Sequence, residues 1–312
     1  MDNRLAVVFP GQASQKVGML SGLSENAILK ETFSEASEVL GYNLWDLTQR
    51  GPVEELNKTC RAQPAILAAS VAIWRIWCAQ GGRLPKFMAG HSLGEYSALV
   101  CSGVIDFSAA IKLVESRGIL MQMAVVQDVG VMSAVIGLDK SVVISVCQDV
   151  RCNDQFVSVS VFNAPNYVII SGYKTAVERV NIICKALGAK FVYILPITIP
   201  SHCKLMMSIA EKFERELEKI DFLFPSISVI NNVDVSIEKN PDRVKQALIR
   251  QLYTPVRWYE IIEYLLKFNI NTLIEMGPSN VLSTMVRRCI INSNLLSMSV
   301  NDVPSLNVAI KY

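Results

Sequence analysis

The 312-residue chain predicts an α/β fold, with a short parallel sheet flanked by helices and one small inserted subdomain. Three observations carry this. Apolar runs at 5–9 and 87–89 are continuous rather than alternating, the pattern of strands buried on both faces. Helix-like stretches lie between such runs. The pattern then changes near residue 130, where short strands and helices follow in the order β-α-β-β-α-β.

Taken in order, 5–9 is a buried parallel strand that ends in the loop Pro10-Gly11-Gln12-Ala13-Ser14-Gln15. Residues 24–40 read as a helix ended by Gly41. Residues 64–79 read as a helix with Pro64 in its first turn and Gly81-Gly82 past its end. Strand 87–89 enters Gly90-His91-Ser92-Leu93-Gly94, and a helix-like stretch at 95–100 follows. A further helix covers 107–123. Next come strand 131–136, helix 140–150, and paired strands 156–162 and 167–171 joined through Asn163-Ala164-Pro165-Asn166. Helix 175–187 and strand 190–195 complete the run. That order is the one of a ferredoxin-like unit. Residues 128–197 are therefore expected to form a small subdomain inserted into a large domain made of 1–127 and 198–312. The large domain resumes with a helix at 202–220, whose Leu205, Ile209, Phe213, Leu217 and Ile220 form one apolar stripe. Strand 227–230, helix 256–268, strand 272–275 and helix 280–288 follow. In helix 256–268 the expected buried face is Ile261, Ile262, Leu265 and Leu266.

Composition narrows the function classes. With 51% hydrophobic and 19% charged residues, a sizeable core is expected. A net charge of +2 argues against nucleic acid as a partner. The longest apolar candidate for a bilayer span, 64–74, is stopped by Arg75, and Met1-Asp2-Asn3-Arg4 passes into a strand without the form of a signal peptide. No membrane association is expected. Eight cysteines without C-x-x-C spacing argue against zinc, or any other metal, and against a disulfide framework; a reducing cytoplasm is expected.

Gly90-His91-Ser92-Leu93-Gly94 has the G-x-S-x-G form of a nucleophile elbow, and strand, sharp turn and helix is the context that motif needs. The core is accordingly expected to be hydrolase-like. A serine hydroxyl needs a base to take its proton. The chain has two histidines, and His91, adjacent to Ser92, should point away across the turn. His202 is left as the available imidazole. Ser201 before it is a good N-cap, which places His202 in a first helical turn where the dipole favours a neutral ring. Cys203 beside it is read as a bystander, since adjacent side chains on a helix diverge. Arg117 falls on the apolar face of its helix, in line with Ile111, Val114 and Met121. A buried guanidinium needs an anion. It is either paired structurally with Glu115 or Glu95, or it is a vacant clamp for a substrate carboxylate; spacing leaves both open. Gln12 lies in the loop at the carboxyl end of the first strand, where open parallel sheets bind ligands. Its N–H and that of Leu93 could form an oxyanion hole.

Together these residues resemble the malonyl-CoA:acyl carrier protein transacylases of bacterial type II fatty acid synthesis. The marks are FPGQASQKVGM (9–19), QPA (63–65), GHSLGEYSAL (90–99), ESRGILMQ (115–122), FNAP (162–165), IPSHCKLM (199–206), NNVD (231–234), QLYTPVRW (251–258) and EMGPSNVL (275–282). The resemblance implies a ping-pong transfer of malonyl from malonyl-CoA to the phosphopantetheine thiol of acyl carrier protein through a malonyl-serine at Ser92, with His202 as base. It implies Arg117 as the malonyl carboxylate clamp and Gln12 and Leu93 as the oxyanion hole. Gln251 would orient the histidine through its backbone carbonyl, with Asn163, Gln63 and His91 in support. It implies no bound cofactor, malonyl-CoA and phosphopantetheine being substrates, and a monomer is expected. Ile199-Pro200-Ser201 resembles the malonyl-loading rather than the methylmalonyl form. Three loops depart from the family pattern: Ala13 stands for a glycine, Asn166-Tyr167 for Gly-Gln, and Ser279-Asn280 for Gly-Lys. A serine hydrolase or thioesterase using the same Ser-His pair, and a non-enzymatic scaffold, are the competing readings. Lys185, Lys190, Arg287 and Arg288 are candidate contacts for an acidic carrier.

Overall fold

Continuous apolar runs build the central strands of the first sheet. In the computed structural model the described residues are 3–125, 129–151, 155–197, 199–289 and 294–312. The subdomain limits expected at 127, 128 and 198, and Cys152, lie outside them. The elements in chain order are β1 (Leu5–Phe9), α1 (Ala27–Leu40), α2 (Leu44–Arg50), α3 (Val53–Leu56), α4 (Thr59–Ala79), β2 (Phe87–Gly90), α5 (Gly94–Cys101) and α6 (Phe107–Met123). Then come β3 (Gly130–Ile136), α7 (Lys140–Val150), β4 (Val157–Ala164), β5 (Tyr167–Tyr173), α8 (Lys174–Ala186) and β6 (Phe191–Ile194). The chain closes with α9 (Ala210–Glu218), β7 (Ser228–Ile230), α10 (Pro241–Gln251), α11 (Trp258–Lys267), β8 (Thr272–Met276), α12 (Val281–Cys289), β9 (Leu296–Val300) and α13 (Val303–Ala309).

The first sheet runs β7–β2–β1–β8–β9, with every pairing parallel. The central strand β1 is buried along its whole length because helices cover both faces. Leu5, Val7 and Phe9 point into a core shared with α1, α4, α5 and α6, while Ala6 and Val8 point into a second core shared with α11 and α12. The second sheet runs β4–β5–β3–β6 and is antiparallel. One of its faces joins the second core through Met132, Ala134, Val161 and Ile169; the other buries Val135, Val159, Val168 and Ile170 against α7 and α8. All parallel strands deliver their carboxyl ends to one edge, and four loops meet there: those after β1, β2, β7 and β8.

Several boundaries differ from the sequence reading, each for a local reason. α1 starts at Ala27 rather than at 24, because Asn26 caps it, accepting from the Ile28 and Leu29 amides. α4 starts at Thr59, so Pro64 lies inside the helix rather than in its first turn. The polar stretch before Pro64 carries no apolar period to announce it, yet Thr59, Ala62 and Gln63 are buried. At 21 residues α4 is long and apolar enough to cross a bilayer, past the stop expected at Arg75. It is nonetheless packed against α1 and α6, 83% of its apolar window is buried, and Arg75 is neutralised by Glu35 at 2.8 Å. The helix expected from 202 forms only in part: a 3-10 turn, Lys204–Ile209, precedes α9. The helix expected from 256 starts at Trp258, because Val256 is bonded on both sides to β4, through Ser160 and Phe162. The sequence pattern leaves α2, α3, α10, β9 and α13 unassigned. For α10 a signal was present, since Asn240 caps the helix and Pro241 opens it.

Candidate active site

The turn after β2 is shaped by contacts that exclude side chains. A Cβ on Gly90 would lie 1.8 Å from the Gly94 carbonyl carbon, and one on Gly94 would lie 2.0 Å from the Phe9 carbonyl oxygen. Between them Ser92 is held at φ 53, in the left-handed region. A non-glycine residue there costs on the order of 1–3 kcal/mol and persists only where its surroundings hold it. Asn232, in the turn after β7, does so: its Nδ2 donates to Gly90 O at 2.6 Å and its Oδ1 accepts from Ser92 N–H at 2.7 Å.

His202 reaches the same point from a different segment. Ser92 Oγ lies 2.7 Å from His202 Nε2, and His202 Nδ1 lies 2.7 Å from the Gln251 carbonyl oxygen. A carbonyl can only accept, so Nδ1 carries the hydrogen and Nε2 is free to accept from the serine. The ring is 3% exposed. Burial first, and the Arg117 charge second, push its pKa down to about 3. The ring is therefore neutral, as the sequence reading holds, but not because of a helix start. Ser201 does not cap, no α-helix begins at His202, and His202 itself has φ 59, with its N–H bonded to Leu252 O at 3.0 Å. Cys203 is buried and its thiol is pushed up to about 12 by desolvation, which leaves it no thiolate at neutral pH.

Arg117 is 1% exposed on α6. Neither acid weighed as its partner pairs with it. Glu115 is held by Arg61 at 3.2 Å and Lys112 at 2.9 Å, and Glu95 faces Gln251 at 2.7 Å. The guanidinium instead donates to two amide oxygens, Gln63 Oε1 at 2.8 Å and Gln251 Oε1 at 3.0 Å, and lies 3.5 Å from Ser92 Oγ. Its Nε is buried without a hydrogen-bond partner among the described residues. A buried cation held by neutral oxygens beside a hydroxyl is poised to receive an anion.

The other expected residues surround this centre. Gln12 is held by Thr59 Oγ1 at 3.2 Å, and its backbone N–H and that of Leu93 have no partner among the described residues. Ala13 beside it has φ 79, so the alanine adopts the conformation a glycine would favour. His91 faces Asn163, Nε2 to Oδ1 3.2 Å, rather than Ser92, and its ring lies 5.6 Å from that of Trp258. Gln63 touches Met121 Sδ at 3.7 Å as well as Arg117. A cleft of about 180 Å³ opens above Ser92, with Met132, Val161, Ile169, Leu195, Leu282 and Met285 on its apolar wall. Tyr167, one of the departures from the family pattern, also lines it. Ser279, another, has a buried hydroxyl without a partner among the described residues. The sequence pattern assigns no role to Asn232 or to the Gln251 side chain, and offers Glu95 only as a partner for Arg117. Nothing in a linear pattern marks these contacts, because each joins residues about 130 to 160 positions apart.

The acyl transferase domain family matches residues 6–309. The chain belongs to the acyl transferase family. Among its relatives, the malonyl CoA-acyl carrier protein transacylase of Haemophilus influenzae is 50% identical over 311 residues, covering 99% of this chain and 99% of that one. The acyl carrier protein S-malonyltransferase structure from Vibrio cholerae is 53% identical, covers 98% of this chain and 99% of its own, and superposes with a TM-score of 0.94. A malonyl-transacylase solved in complex with its type II PKS acyl-carrier protein is 51% identical, covers 99% of each chain and superposes with a TM-score of 0.95. The shared acyltransferase fold thus includes both the parallel and the antiparallel sheet described above.

Proposed function

We propose that this acyltransferase moves the malonyl group from malonyl-CoA to the phosphopantetheine thiol of acyl carrier protein through a malonyl-serine. One observation supports it above all: Ser92 Oγ lies 2.7 Å from a neutral imidazole and 3.5 Å from a buried guanidinium that is bonded to no acid among the described residues. In the first half, Ser92 Oγ attacks the thioester carbonyl carbon while its proton passes to His202 Nε2. The Gln251 carbonyl holds the Nδ1 hydrogen and favours the imidazolium as it forms. The N–H groups of Gln12 and Leu93 take the oxyanion. The tetrahedral adduct then breaks its C–S bond, and His202 returns the proton to the departing CoA sulfur. In the second half the carrier thiol gives its proton to His202, attacks the ester carbon and expels Ser92 Oγ, which is reprotonated. Arg117 pairs with the malonyl carboxylate throughout. The chemistry is nucleophilic and acid–base and asks for no resident cofactor or metal; both thioesters enter as substrates.

The reading extends to the finer architecture. The strand order β4–β5–β3–β6 fits a ferredoxin-like unit at 128–197 set into a hydrolase-like core. The reading includes a monomer, since Ser92, His202 and Arg117 meet within a single copy of the chain. The free thiols at Cys60, Cys78, Cys101, Cys147, Cys184 and Cys203 fit a reducing cytoplasm. Lys185, Lys190, Arg287 and Arg288 are exposed and suit an acidic carrier. Incubation with malonyl-CoA followed by digestion and mass spectrometry should place the acyl group on Ser92, and the product with carrier should be malonyl-carrier rather than free malonate. Dominant malonate would favour a hydrolase, and no acyl-serine at all would favour a scaffold.

A further inference from the structure

Glu95 is a buried acid that the steps above do not use: it is 1% exposed and stands on the first turn of α5. Its Oε2 accepts from Gln251 Nε2 at 2.7 Å and from the Asn232 backbone N–H at 3.0 Å. Gln251 Nε2 has two hydrogens, and the second goes to Ser92 O at 3.1 Å. With both donors spent on acceptors, the amide has one orientation, and its Oε1 faces Arg117 at 3.0 Å. We propose that Glu95 is a positioning residue: through the Gln251 side chain it sets the orientation of Arg117 and so the enzyme's preference for a carboxylate-bearing acyl group. The inference rests on Arg117 being the malonyl clamp.

The interposed amide matters. A carboxylate bonded directly to Arg117 would occupy the clamp and compete with the substrate. An amide passes on the geometry and leaves the charge for the incoming anion. Gln63 holds the other amino group of Arg117 at 2.8 Å, so each terminal nitrogen rests on a neutral oxygen. Asn232 ties Glu95 to the elbow that carries Ser92, which brings nucleophile and clamp into one hydrogen-bonded frame. Burial raises the Glu95 carboxyl to about 7, so a neutral side chain of the same length is tolerated there.

The experiment measures kcat/KM for enzyme acylation by malonyl-CoA and by acetyl-CoA in the full chain, with folding checked by circular dichroism melts. Wild type should prefer malonyl, and Arg117→Ala should abolish the preference. Glu95→Gln keeps an oxygen at the same reach and should keep the preference within about threefold. Glu95→Asp keeps the charge but withdraws the oxygen by one methylene; it should lose roughly tenfold of the preference, mostly on the malonyl side, with acetyl transfer little changed. Wild-type preference in Glu95→Asp overturns the proposal. So does an equal loss for both donors, the mark of a purely structural role, and so does a greater loss in Glu95→Gln than in Glu95→Asp, the mark of charge rather than geometry. A wild type without malonyl preference overturns the clamp reading first, and this inference with it.

Discussion

The two halves of the proposed reacting pair are built in different ways. Ser92 stands on a turn whose geometry comes from its neighbours: a strand before it, two glycines that admit no Cβ, and a helix after it. His202 stands on a segment with no regular structure, between β6 and a 3-10 turn, and is placed by contacts from the end of α10. Both residues have positive φ, 53 and 59, yet only the first strain is announced by its surrounding sequence. A locally encoded strained turn can be read from five residues. One held by distant partners reads as something ordinary, here the start of a helix.

The comparison can be broken most directly at the nucleophile. Ser92→Ala should abolish the acyl-enzyme and lower transfer on the order of 10⁴-fold or more, read by intact mass and by carrier acylation. If His202 is placed as firmly by remote contacts as Ser92 is by local ones, His202→Ala should cost about 10²–10⁴-fold in kcat with KM little changed. Arg117→Ala should cost malonyl about 10–100-fold relative to acetyl, the worth of a charged hydrogen-bonded pair. Removing the brace instead of the turn sharpens the contrast. Asn232→Ala leaves Gly90 O and Ser92 N–H unpaired and should destabilise the fold by about 1–3 kcal/mol, measured by urea unfolding. The smallest effect is expected at Ala13: with φ 79, Ala13→Gly should gain up to about 1 kcal/mol, the relief of left-handed strain less the added freedom of the unfolded chain.

The same pair has a pH signature. An unfolded histidine titrates near 6.5, and His202 in the folded protein near 3. Between those values the unfolded chain binds the extra proton, so this residue makes the fold progressively less stable as pH falls below 6.5. Catalysis, by contrast, should show no loss of the neutral base above about pH 4. Glu95 has the opposite sign: folded near 7 against 4.5 unfolded, it lowers stability as pH rises through that window, and Glu95→Gln should flatten the decline.

Much of the molecule follows from short-range pattern. β1, α6 and α7 are found where apolar runs and helical periods place them, and the order of strands and helices in the second sheet is visible in short apolar runs and turn residues. Arg117 is legible because a cation on an apolar helix face contradicts the period that surrounds it. The five-stranded order, the beginning of α4 ahead of Pro64, and the irregular path into His202 are not legible, because each is settled by where another part of the chain packs.

By itself, the order of residues determined the elbow turn and a positive charge on an apolar helix face, since each depends on neighbours within about one turn of chain, and with two histidines in the chain it left His202 as the candidate base for Ser92. Tertiary structure alone decided that this charge rests on Gln63 and Gln251 rather than on an acid, that Asn232 braces the elbow, and that Glu95 stands behind Gln251. The physical reason is reach. A hydrogen bond is a matter of about 3 Å, and only the folding of two sheets and their helices brings groups so far apart along the chain within it.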